Sequence, residues 1–322
     1  MNAVTAAAHR VVRQVLDDDV MGLAAELAYR FFLALFPFAI FVAGIGAFIA
    51  RRMNVENPAT VITEQLAGTL PSEAAALVEQ ELRRVIEQQN AGLVSFGVLA
   101  AVFFATGGTN ALIKALNRAF DVDETRPFVR RYLLALGMTV LAGGSLIFAF
   151  AFVVIGQVLA GDAAAGFPLG GLGWEILGLL RWPVTILLLV AAVTVLYRLG
   201  PNLRIPIRWV LPGAAIFTVG WLAATWGFGF YISNFASYGA TYGALGGVAI
   251  LLIWFYLSSF ILLVGAEIND VIAEAREPEE VERRRDDVEA VAARDRGALR
   301  GDLRQGRARR GRGLDRGGRP VA

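Results

Sequence analysis

Hydrophobic positions in this chain form six long runs, and polar residues occupy the connections between them. The last run is the clearest, because residues 243–266 contain no charged side chain over 24 positions. At about 1.5 Å per residue, a helix of that length crosses a hydrocarbon core of about 30 Å. The same pattern predicts six transmembrane helices and an all-α polytopic membrane domain over residues 23–273, with spans at about 23–50, 93–116, 132–159, 177–199, 209–231 and 243–269.

Three polar segments lie outside these spans. Residues 1–22 place valines on one helical face and arginines on the other, which predicts an amphipathic helix lying in the membrane interface. Residues 51–91 carry apolar positions at helical spacing after Ser72, an N-cap residue, and predict an extracytoplasmic helical hairpin between the first two spans. Residues 274–322 predict a charged cytoplasmic tail, which begins as a helix continuing from the sixth span and ends as a disordered Arg-rich segment.

The composition narrows the chemistry that this chain can perform. Hydrophobic residues make up 56% of it, above the roughly 45–50% of a soluble domain. It contains no cysteine and a single histidine, His9, which removes thiolate chemistry and disfavours zinc hydrolysis. The nucleotide-binding pattern GxxxxGK[ST] does not occur in it. We therefore expect no enzyme, no catalytic residues, no metal and no cofactor.

The net positive charge of the chain is located in its tail. Residues 274–322 hold 14 Arg and 11 Asp or Glu, a net charge of +3, whereas the remainder has a net charge of −1. Nucleic acid is therefore not an expected partner of the membrane body. We expect membrane lipids as partners, together with envelope proteins or a second copy of the chain.

Lysine and arginine counts predict the orientation. The 114–131 loop has five, the 198–208 turn has three, and the 161–173 and 232–241 connections have none. Basic loops stay in the cytoplasm, so both termini are expected there. The four arginines of the 51–91 loop weaken the rule at that one place.

The first span carries an unusual charged pair and a proline. Glu26 and Arg30 are four residues apart, so they share a helical face and can pair. Arg30 either extends toward the membrane surface or faces a polar cavity, and the sequence leaves both open. Pro37 is expected to kink the helix, because its ring removes one hydrogen bond.

Polar residues follow one face of the second span. Asn110 and Asn117 lie on this face, and Arg118 begins the basic loop that follows. Such side chains either bond a neighbouring helix or line a substrate path. Both interpretations stay open, with helix bonding the commoner case.

The sixth span carries the remaining candidates. Glycines at 239, 243 and 247 share a face that a second backbone could approach closely, although a lipid-facing anchor with incidental glycines would look the same. Trp254 lies mid-span and is expected to pack against other helices. Glu267 and Asn269 lie near the helix end, where interfacial capping is the simpler explanation. The candidate substrate-path or helix-packing residues in this span are Tyr242, Gly243, Gly247, Trp254, Glu267 and Asn269.

Four stretches resemble the YihY/BrkB family of bacterial inner-membrane proteins: AAELAYRFFLALFPF (24–38), ALNRAFDVDETRPFVRR (115–131), PNLRIPIRWVLPGA (201–214) and SYGATYGALGGVAILLIWFYLSSFILLVGAEIND (237–270). The resemblance covers about residues 8–275 and implies six spans with cytoplasmic termini. Arg30 departs from the family pattern, which more often has an uncharged residue there. Members have been labelled ribonuclease BN or serum-resistance virulence factors, and relatives have been linked to the movement of lipids or envelope components.

Three functions follow for comparison. The first is a transporter or flippase for a lipid or other amphiphilic envelope component, favoured by polar groups at membrane depth. The second is a non-enzymatic scaffold for envelope assembly that acts through helix faces and the charged tail. The third is a ribonuclease, which the sequence disfavours because it gathers no histidines or carboxylates for phosphodiester cleavage.

Overall fold

The computed structural model describes residues 3–52, 91–141, 144, 170–235 and 244–294. These residues form helices and no strand. Residues 53–90 of the hairpin predicted over 51–91, the second half of the predicted third span and the segment 295–322 lie outside them. The helices are α1 Ala3–Asp17, α2 Val20–Arg52, α3 Ala91–Ala119, α4 128–141, α5 Gly170–Leu199, α6 Ile207–Phe235, α7 Ala244–Arg276 and α8 278–294.

Three helices in the described residues are long and apolar enough to cross a bilayer. They are Leu99–Ala119 in α3, Ile207–Ile232 in α6 and Gly246–Arg276 in α7. A shorter apolar helix, Pro183–Leu199, belongs to α5. The described part of the chain therefore contains helices, no strand, and apolar helices of membrane length, while the full set of six spans stays a prediction.

Helix α7 lies at the centre of the bundle. It contacts α1, α2, α3 and α6, and α2 also packs along α3. Leu116 of α3, Val210 of α6 and Leu263 of α7 are fully buried in the shared core. Tyr197 of α5 is also buried, and its hydroxyl donates a 2.6 Å hydrogen bond to the carbonyl oxygen of Leu262. This bond fixes α5 against α7.

The close contact between α6 and α7 depends on two glycines that the sequence analysis did not select. A Cβ atom at Gly213 would lie 2.1 Å from the carbonyl oxygen of Gly265, and one at Gly265 would lie 2.4 Å from the Tyr197 hydroxyl. By contrast, Gly247 is exposed, and a Cβ there meets no atom of the described residues within 4 Å. The close approach between described helices therefore lies at Gly213 and Gly265, and the glycine face at Gly247 stays a prediction. Gly243 lies outside the described residues.

Two aspartates in left-handed backbone conformation define the turns at one end of the bundle. Asp19, with φ of 51°, separates α1 from α2 and accepts a 3.2 Å hydrogen bond from the Gly22 amide, as an N-cap residue does. Asp121, with φ of 49°, follows α3. The amides of Asp121 and Val122 donate to the carbonyls of Arg118 and Asn117, which is a Schellman motif. We call this end, with residues 17–20, 117–131, 198–208 and 267–285, the polar end.

The segment after α7 differs from the expected continuous helix. Helix α7 ends at Arg276, and Pro278 begins a separate helix, α8. Proline cannot donate the next helical hydrogen bond, but it suits the first position of a helix. Val281 of α8 is buried in the common core. The folded body therefore continues past residue 273, where the sequence analysis placed the start of the tail.

Candidate functional site

Three polar side chains in the last turns of α7 are buried inside the polar end. Glu267 and Asn269 have no exposed surface, and Asp270 is 1% exposed. Interfacial capping, the simpler explanation from the sequence, would leave Glu267 and Asn269 accessible to water. They are buried because α1 and the end of α3 contact α7, and because Arg285 of α8 binds Asp270.

Arg285 joins α8 to α7 and α3. Its Nη2 lies 2.7 Å from Asp270 Oδ1, and its Nη1 lies 2.7 Å from Glu274 Oε1. Its Nε donates a 3.2 Å hydrogen bond to the carbonyl oxygen of Phe120. Burial alone would lower the pKa of Arg285, but the charges and hydrogen bonds of Asp270 and Glu274 outweigh it and raise the pKa.

Three carboxylates surround this guanidinium group. Oxygen atoms of Asp121, Asp270 and Glu274 lie within 4.8 Å of one another, close enough to share a metal ion. Arg285 pairs directly with two of them and lies 3.7 Å from the third, Asp121 Oδ2. We call these four residues the Arg285 cluster. Its single positive charge compensates the carboxylates only in part, but its two 2.7 Å contacts already occupy an oxygen of Asp270 and one of Glu274, so the geometry favours an ion-pair network over a metal site.

Among these three buried side chains of α7, Glu267 is the one whose polar atoms are all unpaired within the described part of the chain. Both of its carboxyl oxygens are buried, and neither has a hydrogen-bond partner among the described residues. The charged groups that act on it are the carboxylates of Asp18, Asp121 and Asp270. An ionised carboxylate in such a place would be strongly disfavoured, because it has neither water nor a positive partner. The arrangement therefore buries a carboxyl group without a compensating partner among the described residues.

Asp18 forms the outer edge of this acidic region. Burial raises its pKa, and the nearby carboxylate of Asp121 adds to the rise, while Arg118 opposes it. The Nε atom of Arg118 lies 3.6 Å from Asp18 Oδ1. Arg118 thus connects the start of the basic loop to the turn between α1 and α2.

A second network surrounds Asn117 at the end of α3. Its Nδ2 donates a 2.9 Å hydrogen bond to Glu124, and its Oδ1 accepts one of 2.6 Å from the Asn202 amide. Arg126 binds the same glutamate at 2.8 Å and also donates to the carbonyl oxygen of Gly200. Burial raises the pKa of Glu124, but the hydrogen bonds and charge of Arg126 outweigh it and lower the pKa below its ordinary value. These bonds join the basic loop to the 198–208 turn.

Asn117 and Arg118 also line a groove of about 590 Å³ between the end of α3 and α8. Asp121 and Arg285 lie on its wall. Two of the residues selected from the sequence therefore lie next to the Arg285 cluster. The long separation along the chain between Asp121, Asp270 and Arg285 left no local pattern from which this convergence could have been predicted.

The other selected residues lie away from this cluster. Arg30 and Glu26 form a 2.7 Å ion pair on the surface of α2, with 41% and 47% of their side chains exposed. Asn110 accepts a 2.9 Å hydrogen bond from Arg131 of α4, as a helix-bonding residue does. Pro37 is half-buried within α2, whose helix continues on both sides of it.

The remaining candidates belong to α7 and the residues before it. The Trp254 ring contacts Trp221 and Phe228 of α6, with centroids 5.8 and 5.2 Å apart. Trp254 therefore packs between helices. Tyr242 lies outside the described residues.

The chain is similar to several known proteins. A family model described as Virulence factor BrkB matches residues 11–290. The ribonuclease-like protein YfkH of Bacillus subtilis (strain 168) is 37% identical over 249 residues, which cover 77% of this chain and 88% of YfkH. A UPF0761 membrane protein of Xanthomonas campestris pv. campestris (strain B100) is 32% identical over 260 residues, which cover 80% of this chain and 58% of that protein. One of Xanthomonas oryzae pv. oryzae (strain PXO99A) is 31% identical over 268 residues, with 82% and 60% covered. The chain thus spans less than two thirds of these Xanthomonas relatives, and no solved structure matches it.

Proposed function

Since the chain belongs to the Virulence factor BrkB family of membrane proteins, we propose that it transports or flips a lipid or another amphiphilic envelope component across the bacterial inner membrane. In this proposal the polar end faces the cytoplasm, because the basic 114–131 loop and the 198–208 turn both belong to it. The membrane lipids are then both the solvent of the protein and the source of its substrate.

The burial of the Glu267 carboxyl group without a partner among the described residues supports transport over a purely structural role. A carboxyl group inside a membrane-spanning helix is costly to bury, and its cost rises when no partner satisfies it. Both oxygens of Glu267 are in that situation among the described residues. A scaffold would be at least as stable with an apolar residue there. A transport cycle can use such a group, because gaining or losing a proton changes the charge that is held at the buried site.

The groups around Glu267 allow its charge to respond to conformation. Asp18, Asp121 and Asp270 are the charged groups that act on it, and Arg285 balances Asp270. Any movement of α8 away from α7 would remove that positive charge and admit water. We propose that Glu267 exchanges a proton as the polar end opens and closes.

The test uses the full chain reconstituted into liposomes that contain fluorescent lipids with different headgroups. Chemical quenching from outside reports the rate at which each lipid changes leaflet, with and without a pH gradient. We expect the wild type to accelerate at least one lipid over empty liposomes. Glu267→Gln, which cannot ionise, should reduce that rate by at least about tenfold, whereas the exposed Glu282→Gln serves as the matched control.

Absence of lipid movement for every headgroup and gradient would refute the transport proposal. If a folded Glu267→Gln protein moves lipid at the wild-type rate, the proposed role of Glu267 is refuted. A scaffold makes a different prediction, in which deleting residues 295–322 abolishes envelope function while the helices stay inserted. That deletion leaves Arg285 in place, which a deletion from residue 277 would not.

The name of YfkH raises the alternative of ribonuclease activity. We propose that this chain is not an enzyme, because its three clustered carboxylates are already engaged by Arg285 and its single histidine, His9, lies exposed on α1. Metal-assisted cleavage needs carboxylates free to bind the metal. Metal-dependent RNA cleavage by the purified chain, lost in an Asp270→Asn variant that remains folded, would overturn this.

A further inference from the structure

A second cleft at the polar end, of about 550 Å³, is lined by arginines from four different segments. Arg126 and Arg130 come from the basic loop and the start of α4. Arg198 ends α5, and Arg204 belongs to the following turn. Arg284 reaches the cleft from α8. The sequence analysis used the first four only as counts that predicted the orientation.

The positive charge in this cleft is only partly compensated. Arg126 lies 2.8 Å from Glu124, and Arg284 lies 2.7 Å from Glu280. Within the described part of the chain, Arg130, Arg198 and Arg204 have no carboxylate partner, and no acidic residue lines the cleft. Like charges gathered in one concave site repel one another and raise the local concentration of anions.

The two paired arginines are held in place by further contacts. Arg126 also donates to the carbonyl oxygen of Gly200 at 2.9 Å. Arg284 donates to the carbonyl oxygen of Arg204 at 2.6 Å, and its guanidinium lies over the Trp209 ring at 5.6 Å. Two guanidinium groups are therefore positioned before any ligand arrives, which reduces the entropy lost on binding. The three unpaired arginines remain available to the ligand.

Guanidinium groups recognise one class of anion especially well. Their planar donor pairs match two oxygens of a phosphate group, and such charge-assisted bonds are among the strongest in proteins. Lipid headgroups and free phosphate both present this group, and the surroundings of the cleft distinguish these two sources.

Exposed apolar side chains neighbour the lining residues along the chain, where membrane helices end, and we call them the apolar rim. Phe128 lies between Arg126 and Arg130, Leu133 precedes the lining residue Leu134, and the two are 65% and 61% exposed. Leu199 and Ile207, which are also exposed, end and begin the apolar helices on the other side. This level corresponds to the headgroup region of a bilayer, where arginines meet anionic lipids. We propose that this arginine cleft binds the phosphate group of an anionic phospholipid, with the acyl chains directed along the apolar rim.

The proposal of a lipid-binding site depends only on the geometry of the cleft. That the bound lipid is also the molecule transported rests on the proposed function. The two ideas separate experimentally, because lipid binding can be measured without any membrane to cross.

The test measures equilibrium binding by calorimetry on the purified full chain in neutral detergent micelles. The probes are dihexanoyl phosphatidylglycerol, dihexanoyl phosphatidylcholine and inorganic phosphate. We expect saturable binding of phosphatidylglycerol, much weaker binding of the zwitterionic phosphatidylcholine, and weak binding of inorganic phosphate. The double variant Arg198→Gln/Arg204→Gln should bind phosphatidylglycerol at least about tenfold more weakly.

Two further variants keep the result interpretable. Arg198→Lys/Arg204→Lys retains the charge and should still weaken binding, because lysine cannot form the paired bonds. Arg10→Gln/Arg276→Gln removes the same charge from exposed positions outside the cleft and should bind as the wild type does. Glu267→Gln should also bind normally, so that a loss of transport with retained binding would separate the two proposals.

Three outcomes would overturn this inference. The first is no saturable binding to the wild type. The second is equal weakening in the Arg10→Gln/Arg276→Gln control, which would indicate diffuse electrostatic attraction. The third is binding of inorganic phosphate as tight as that of phosphatidylglycerol, which would make free phosphate the ligand.

Discussion

Replacing Arg285 with methionine should destabilise the polar end strongly. The substitution keeps a long side chain but removes the guanidinium that binds Asp270, Glu274 and the Phe120 carbonyl oxygen. The Asp270 side chain is only 2% exposed, so its charge would lose its principal partner without gaining water.

The magnitude follows from that burial. Removing one partner of a buried ion pair costs about 3–5 kcal/mol, because the other charge is left uncompensated. Arg285 is 22% exposed, and Gln14 still donates a 3.2 Å hydrogen bond to Asp270. These two features place the expected loss of unfolding free energy near the lower end of this range, at about 3 kcal/mol. Neutralising Asp270 as well should recover most of it, so Asp270→Asn/Arg285→Met should lie within about 1 kcal/mol of the wild type.

The free energy of unfolding can be measured by denaturant titration in mixed micelles, with the six tryptophans as the fluorescent probe. The matched control is Arg283→Met on the same helix, whose side chain is 68% exposed and pairs with Glu280. An exposed pair of this kind contributes roughly 0–1 kcal/mol. The reasoning is refuted if Arg285→Met is no more destabilising than this control, or if the double variant is no more stable than Arg285→Met.

Three further predictions concern helix contact, pH and orientation. Gly213→Ala should lower the unfolding free energy by about 1–3 kcal/mol, since its Cβ would meet the Gly265 carbonyl oxygen. Gly247→Ala, whose Cβ meets no atom of the described residues, should change it by less than about 0.5 kcal/mol. Equal effects of the two substitutions would contradict the close contact between α6 and α7 at Gly213. The pKa of Glu124 is lowered from 4.5, so its stabilisation is present above about pH 4.5 and is lost as the pH falls through the lower folded value. Thermal unfolding of the wild type should therefore become more sensitive to acid than that of Glu124→Gln, and identical pH profiles would count against the assignment. The chain has no cysteine, so a single Ile207→Cys variant can be labelled with an impermeant thiol reagent, which should react only after the cells are opened; labelling of intact cells would reverse the proposed orientation.

The amino-acid sequence by itself determined the class of this protein. Uncharged runs of membrane length predict apolar helices, and the described residues form helices of this kind. The resemblance carried by residues 24–38, 115–131, 201–214 and 237–270 is confirmed by the family match over residues 11–290. Both inferences are possible because hydropathy and short motifs depend only on residues that are close in sequence. They do not require knowledge of which segments pack against each other.

The tertiary structure alone decided which polar groups come together. Asp121, Asp270 and Arg285 are far apart along the chain, and only the return of α8 onto α7 makes them one cluster. Contacts of α1, the end of α3 and α8 with α7 bury the residues at the end of α7 that were predicted to lie at the interface, and α8 also brings Arg284 to the arginine cleft. The glycines that let α6 approach α7 were likewise invisible in the spacing along one helix. Burial, pairing and close approach depend on the partner segment, so they become determinate only when the helices are packed.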